Sequence, residues 1–294
     1  MNLKYQVKEI DNYINIKELL KAYFNISDRL LLKLKKNNKI FLNGVITNIS
    51  TPLSPNDIVE ILIDFEEDNT NIVPVKMNLN IIYEDDAYLV INKPAGMPVH
   101  PSMDHFTDSI SNGVRYYFDL TNLKKKIRPV NRLDKNTSGL VIFAKNEYIQ
   151  ECLVKQMKNN QFYKEYIAIC EGEFEQKHGT INAPIARKEN SIIERCIDKS
   201  GDTAITEYEV IKYNEEKNYS IVKCILKTGR THQIRIHMNY IEHPLLGDTL
   251  YGNASELISR QALHSYKISF IHPIEKKVAD YTAPLPFDMK LLIQ

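Results

Sequence analysis

A short apolar run at residues 140–144 (Leu-Val-Ile-Phe-Ala) constrains the fold of this chain more than any other segment. It is partly β-branched and follows Ser138-Gly139, so we interpret it as an interior strand. Asp134 then lies on the turn that leads into the strand, two residues after Arg132. Because residues two apart in an extended segment share a face, both side chains could enter one pocket.

Two explanations of Asp134 are open at this point. The sequence Asp-Lys-Asn-Thr-Ser-Gly from residue 134 is rich in turn formers, and an Asx-type bond from Asp134 to its own backbone would account for it. Alternatively, the Arg132 guanidinium keeps the carboxylate ionised, as a nucleophile or a base at neutral pH requires.

The segments around this strand indicate the fold class. Ile149, Cys152, Leu153 and Met157 form one apolar stripe, so residues 146–160 should be a helix. Further strands are predicted at 166–170, 208–211, 220–226 and 266–270. Hairpin-like spacing between several of them predicts an α+β domain, a mixed, largely antiparallel sheet flanked by helices.

The N-terminal region has a different pattern. Apolar residues at helical spacing predict a helix around residues 16–23, and Ser27 is a candidate N-cap for a second helix. Asn43-Gly44 predicts a hairpin between strands 40–42 and 45–46, and a strand at 58–62 follows. We expect a small domain at 1–63, an acidic linker at 64–78 and a large domain at 79–294.

One face of the second N-terminal helix is basic. Arg29, Lys33 and Lys36 follow the i, i+4, i+7 pattern and should form a single stripe. A solvated helix face is the plain explanation of such a stripe, and contact with RNA phosphates is the functional one.

Composition bounds the class of protein. At 294 residues, with 43% hydrophobic and 26% charged residues, the chain is typical of a soluble globular protein, and its net charge of +1 means that nucleic-acid binding would need local patches. Its four cysteines include no Cys-x-x-Cys pair, so neither disulfides nor zinc are predicted. Without a secretory signal or an apolar run of membrane-spanning length, we expect a cytoplasmic protein that does not enter membranes.

Two further groups of residues are candidates for a site. Lys164 and Tyr166 lie two apart on a predicted strand and should point to one face. After strand 220–226, Thr231 could cap a helix whose inner face includes Ile234, Met238 and Ile241. Its N-terminal end gathers Arg230, His232, Gln233 and Arg235. Such an end suits an anion, either a phosphate or the Asp134 carboxylate.

Five histidines lie in the last quarter of the chain: His232, His237, His243, His264 and His272. No two of them have the His-x-x-x-His spacing of a helical metal site, so we expect structural hydrogen bonds from them and no metal.

The string Arg132-Leu-Asp134-Lys-Asn-Thr-Ser-Gly139-Leu resembles the catalytic motif of the RluA/RluD family of RNA pseudouridine synthases. Similar segments occur in the family's order over about residues 80–286, at 83–86, 89–101, 164–166, 179–187, 226–237, 243–251, 263–264 and 272–273. The order helix, helix, hairpin, strand in the first 63 residues resembles the S4 RNA-binding domain. There, Asn56-Asp57 replaces the usual Gly-Asp, and Asn tolerates the left-handed backbone.

The resemblance implies isomerisation of uridine to pseudouridine in RNA, without a cofactor. Asp134 would be the catalytic carboxylate, either nucleophile or base at the sugar, and Tyr166 would lie against the uracil. Arg230 or Arg235 would pair with Asp134, and the sequence does not choose between them. Arg132 would hold the space left by a flipped base, beside Lys164, His232 and Gln233 as substrate contacts. Asn131 replaces the His common before this motif.

The S4-like order favours large-subunit ribosomal RNA as the substrate, with transfer RNA as an alternative. We expect the enzyme to be a monomer. Two rival functions are a non-catalytic RNA-binding or ribosome-assembly protein and a glycosidase or hydrolase. The first would not need Asp134, Tyr166 and the arginines together, and the second would need two paired acids.

Overall fold

The chain folds around two large sheets. The computed structural model describes residues 1 to 294. The N-terminal module contains β1 (Asn2–Gln6), α1 (Ile16–Ala22), α2 (Asp28–Lys36), β2 (Ile40–Leu42), β3 (Val45–Ile46) and β4 (Ile58–Leu62). Its four strands are antiparallel in the order β1-β4-β2-β3.

Local chemistry explains the turns of this module. The Ser27 hydroxyl accepts a hydrogen bond from the Leu30 amide and caps α2, as predicted. Asn43 and Gly44 have φ of 52° and 80°, the left-handed pair that a two-residue hairpin needs, and Asn56 has φ of 76°. Strand β1 was not predicted, although Leu3 and Tyr5 alternate with polar residues and are the less exposed positions of the strand.

The second sheet has nine strands. Its domain contains β5 (Ile81–Glu84), β6 (Tyr88–Lys93), α3 (Ile110–Leu120), β7 (Ser138–Ala144), α4 (Glu147–Lys158), β8 (Tyr163–Glu171), β9 (His178–Asn182), β10 (Ile185–Arg187), β11 (Arg195–Ile197), β12 (Ile205–Asn214), β13 (Tyr219–Leu226), α5 (Gln233–Tyr240), β14 (Leu263–Ile271), β15 (Val278–Thr282) and α6 (Phe287–Ile293). The sheet order is β5-β6-β7-β14-β8-β13-β12-β9, with β15 on β14, and β10 and β11 form a separate hairpin.

Only the β7–β14 pair in the large sheet is parallel, so the predicted mixed, largely antiparallel sheet with flanking helices is confirmed. All seven residues of β7 are buried, as expected of an interior strand. Strands β5, β6, β9 and β15, helices α3 and α6 and the β10–β11 hairpin were not predicted.

Gly139 allows β7 to approach β14 at the start of the strand. Its φ is 111°, and a Cβ there would lie 2.2 Å from the carbonyl oxygen of Ser265. Any other residue would force the two backbones apart. Because Ser265 also pairs with Tyr166 on β8, the start of β7 and the start of β8 are held on either side of β14.

The N-terminal module and the large domain share one hydrophobic core. A cluster of 27 buried residues includes Leu30 and Leu34 of α2 together with Ile149 and Leu153 of α4. The predicted linker runs along this junction: the amide of Asn69, which is 4% exposed, bonds the backbones of Lys125 and Ile127.

Candidate active site

A cavity of about 320 Å³ opens where the turn before β7, strand β8 and the start of α5 meet. Its volume lies within the range of pockets that hold small ligands. Eight residues predicted from the sequence all line it: Arg132, Asp134, Lys164, Tyr166, Arg230, His232, Gln233 and Arg235. Asp134 is the only acidic residue in the wall.

Arg235, rather than Arg230, lies beside Asp134. Its Nη1 is 3.4 Å from Asp134 Oδ2, while Nε and Nη2 each donate to Asp248 at 2.7 Å. The Asp248 side chain is 1% exposed and also accepts from the Leu250 amide. Because Asp248 holds the guanidinium edge formed by Nε and Nη2, Nη1 is fixed toward Asp134.

His232 lies between the other oxygen of Asp134 and a chain of hydrogen bonds that runs through Tyr251 to the Arg195 amide. Its Nε2 is 3.8 Å from Asp134 Oδ1, and its Nδ1 is 2.8 Å from the Tyr251 hydroxyl, which accepts from the Arg195 amide at 2.9 Å. We assign the proton of the neutral ring to Nε2, because an unprotonated Nε2 would direct its lone pair at the negatively charged Asp134 carboxylate. Burial lowers the pKa of His232, and this favours the neutral ring.

The start of α5 differs from the expectation. Thr231 was predicted to cap the helix, and this was wrong: the N-cap position is His232, with φ of 58° and no side-chain capping bond. The Gln233 side chain instead accepts from Thr228 Oγ1 and the Arg230 amide and donates to the Ile205 carbonyl. The predicted inner face of the helix is confirmed, since Ile234, Met238 and Ile241 pack in one cluster.

Lys164 and Tyr166 both face the cavity from β8, as their spacing predicted. The Tyr166 side chain is 6% exposed, and burial raises the pKa of its phenol to about 12, so the phenol stays protonated at neutral pH. Lys164 Nζ has only the Thr228 carbonyl within reach, at 3.5 Å, and burial lowers its pKa to about 8.

The two other arginines of the site occupy its edges. Arg132 is exposed at the cavity wall. Arg230 Nε donates to the Thr203 carbonyl, and its Nη1 lies 3.6 Å from Asp202.

Asn131 links the turn to strand β7. Its amide nitrogen donates to the Leu140 carbonyl, and its oxygen accepts from the Ile142 amide, both at 2.9 Å. An Asn at this position therefore extends the β7 ladder with its side chain.

Sequence reasoning missed Lys93, Asp248 and Tyr251. Lys93 is fully buried at the end of β6, and its ammonium donates to the carbonyls of Pro94, Met97 and Lys135, the residue after Asp134. Burial lowers the pKa of Lys93 to about 7, and the nearby Asp134 charge opposes this effect. A lysine ending an apolar strand was an available signal, since such a charge needs buried partners.

The basic stripe on α2 is divided by the structure. Lys33 lies at the junction, paired with Glu67 and Glu147 and 4.1 Å from the centre of the Phe65 ring. Arg29 and Lys36 are exposed.

The late histidines make hydrogen bonds within the fold. His237 contacts Thr206 Oγ1 and the Ala183 carbonyl, and His264 contacts Ser138 Oγ. No group of three or more His, Cys, Asp or Glu side chains is arranged to hold a metal ion.

None of the helices has the length and apolar character required to cross a membrane.

Comparisons with known proteins agree with this geometry. A profile of the family described as RNA pseudouridylate synthase matches residues 87–240. The chain is 38% identical to "Uncharacterized RNA pseudouridine synthase YhcT" of Bacillus subtilis (strain 168), over 88% of this chain and 84% of that protein. It is 36% identical to "Ribosomal large subunit pseudouridine synthase D" of Haemophilus influenzae, over 86% of this chain and 81% of that protein.

A solved structure shares the fold of the large domain. "Human RNA Pseudouridylate Synthase Domain Containing 1" has a TM-score of 0.59 and 26% sequence identity, covering 71% of this chain and 84% of that one. The family match and these relatives lead to one conclusion: the chain belongs to the RluA/RluD family of RNA pseudouridine synthases, isomerases that convert uridine in RNA to pseudouridine.

Proposed function

We propose that Asp134 is the catalytic carboxylate of this isomerase and acts at the ribose of the target uridine. The observation that carries the proposal is that Asp134 is the only acid in the cavity wall and that Arg235 lies 3.4 Å from it. A hydrolase that uses two carboxylates would need a second acid there. In this reaction the bond from ribose to N1 of uracil breaks, the base turns, and the ribose forms a bond to carbon 5, which loses its proton while N1 gains one.

The other lining residues have roles that fit their positions. Tyr166 packs against the uracil, and its protonated phenol can donate a hydrogen bond. Arg235 stabilises the Asp134 carboxylate, while Arg132 at the exposed edge holds the space vacated by the flipped base. Lys164, His232, Gln233 and Arg230 complete the wall, and Gln233 acts by holding the turn in place.

We further propose that the substrate is large-subunit ribosomal RNA, with transfer RNA as the alternative. Relatives named ribosomal large subunit pseudouridine synthase D support this choice. An S4-like module at residues 1–63 would add phosphate contacts through the exposed Arg29 and Lys36. We also propose that the enzyme acts as a monomer, and such a substrate would place it in the cytoplasm.

Replacement of the carboxylate tests the proposal directly. Asp134→Asn should abolish pseudouridine formation and leave RNA affinity within about twofold, because the amide keeps the shape and loses the charge. Asp119→Asn, which removes an exposed carboxylate on α3, is the matched control and should retain full turnover. Turnover by Asp134→Asn would refute the role of Asp134.

Pseudouridine maps of total RNA from cells with and without the protein would identify the substrate. Loss of a site in large-subunit ribosomal RNA is the expected result. Loss confined to transfer RNA would contradict the ribosomal assignment without affecting the role of Asp134.

A further inference from the structure

A second cavity adjoins the active site. It has a volume of about 430 Å³ and shares Gly229, Arg230 and Thr231 with the catalytic cavity. The β10–β11 hairpin and the turn containing Gly201 form its other walls. A Cβ on Gly201 would lie 2.4 Å from the carbonyl carbon of Ile185, so the close contact of turn and hairpin depends on glycine.

Two arginines lie opposite each other in this cavity. Arg187 on β10 pairs directly with Arg195 on β11, so their side chains share one face of the hairpin. Like charges at such a position destabilise a hairpin unless an anion neutralises them. Arg195 is oriented by donation from its Nη1 to the carbonyls of Ile193 and Glu194, whereas Arg187 is exposed.

The side chains that line this cavity carry a net positive charge. Three arginines, Arg187, Arg195 and Arg230, face one acidic residue, Asp202, which gives a formal charge of +2 from three positive groups and one negative. Asp202 is 73% exposed and lies 3.6 Å from Arg230, so water screens that pair. The nearby Glu194 is paired with Lys188 instead.

The hairpin is connected to the catalytic residues. The Arg195 amide donates to the Tyr251 hydroxyl, which contacts His232, and His232 lies beside Asp134. An anion held by the two arginines would therefore lie close to the nucleotide on whose ribose Asp134 acts. Guanidinium groups suit phosphate because they can donate two parallel hydrogen bonds.

We propose that Arg187, Arg195 and Arg230 bind the RNA phosphate adjacent to the target uridine. This rests on the proposed function, because it takes the uridine to lie beside Asp134. The phosphate neutralises the opposed arginine pair and fixes the register of the strand, so that one nucleotide is presented to the cavity.

The test measures the salt dependence of RNA binding. The probe is a short synthetic RNA with a single uridine, titrated at several salt concentrations. Arg187→Ala should weaken binding several-fold and reduce the slope of log affinity against log salt by about 1, as expected for one lost phosphate contact. Lys217→Ala removes another exposed positive charge, in the turn before β13, and should change neither. Equal slopes for the two variants would overturn the proposal.

A second measurement locates the phosphate. Replacing one phosphate next to the uridine by an uncharged methylphosphonate should weaken wild-type binding, and Arg187→Ala should be insensitive to the same change. Equal sensitivity in both proteins would also overturn the proposal. Failure of the proposed function is separate, since it would appear as turnover by Asp134→Asn with these binding effects intact.

Discussion

At the scale of single residues, the position of the Asp134 carboxylate depends on groups that never touch it. Asp248 accepts hydrogen bonds from Nε and Nη2 of Arg235, and Lys93 donates to the carbonyl of Lys135 immediately after Asp134. The active site is therefore supported by buried charges with complete hydrogen bonding, which is the condition under which a charge is tolerated inside a protein.

Asp248→Asn tests this support. The amide cannot accept hydrogen bonds from both Nε and Nη2 of Arg235. We therefore expect kcat to fall about 100-fold, the effect of moving a catalytic group by roughly 1 Å. Combining it with Arg235→Gln should lower activity no further than Arg235→Gln alone, because Asp248 acts through Arg235. Additive losses in kinetic assays, with melting curves to confirm folding, would show that Asp248 acts by another route.

Lys164 makes stability depend on pH in a predictable direction. Burial lowers its pKa from the ordinary 10.5 of a lysine to about 8 in the folded protein, so burying the charged form costs stability at pH 7. That cost disappears as pH rises from 8 to 10.5, where only the unfolded chain keeps the proton. The free energy of unfolding of the wild type, relative to Lys164→Met, should therefore increase over this range. Urea denaturation at pH 7.5 and pH 10 measures it, and a constant difference would contradict it.

At the scale of elements, charged groups fix the N-terminal module to the large domain. Glu67 forms two hydrogen bonds of 2.7 Å with Arg128 and lies 3.3 Å from Lys33 of α2. Both side chains of the Glu67–Arg128 pair are 10% exposed. The acidic segment, predicted as a linker, thus connects α2 to the large domain through paired charges.

Glu67→Gln should lower the free energy of unfolding by about 2–4 kcal/mol, because it leaves the largely buried Arg128 side chain without its charged partner. The pair of Glu66 and Lys124, which are 78% and 61% exposed, is the matched control. Glu66→Gln should change stability by less than about 0.5 kcal/mol. Denaturant titrations compare them, and equal effects would mean that burial of the Glu67 pair contributes nothing.

At the scale of the whole molecule, the shared cluster of 27 buried residues predicts that the two sheets unfold together. The chain contains no tryptophan, so Tyr23→Trp would place a single reporter on the module, where Tyr23 packs against Tyr5. Its fluorescence and the far-ultraviolet circular dichroism should give the same denaturation midpoint. An earlier fluorescence transition would show that the module unfolds independently.

The sequence by itself determined features that depend on neighbours in the chain. The Ser27 cap, the Asn43-Gly44 hairpin and the buried strand β7 each follow from a few adjacent residues. The ordered motifs likewise identified the family, and the spacing of Lys164 and Tyr166 placed both on one wall of the cavity.

Tertiary structure alone decided which distant groups meet. His232 turns the chain with a left-handed backbone before α5, and that turn directs Arg235 rather than Arg230 to Asp134. Lys33 pairs with acids 34 and 114 residues away instead of facing solvent with Arg29 and Lys36. Such pairings depend on how helices and strands dock, and docking is set by packing of the whole core, which no local pattern specifies.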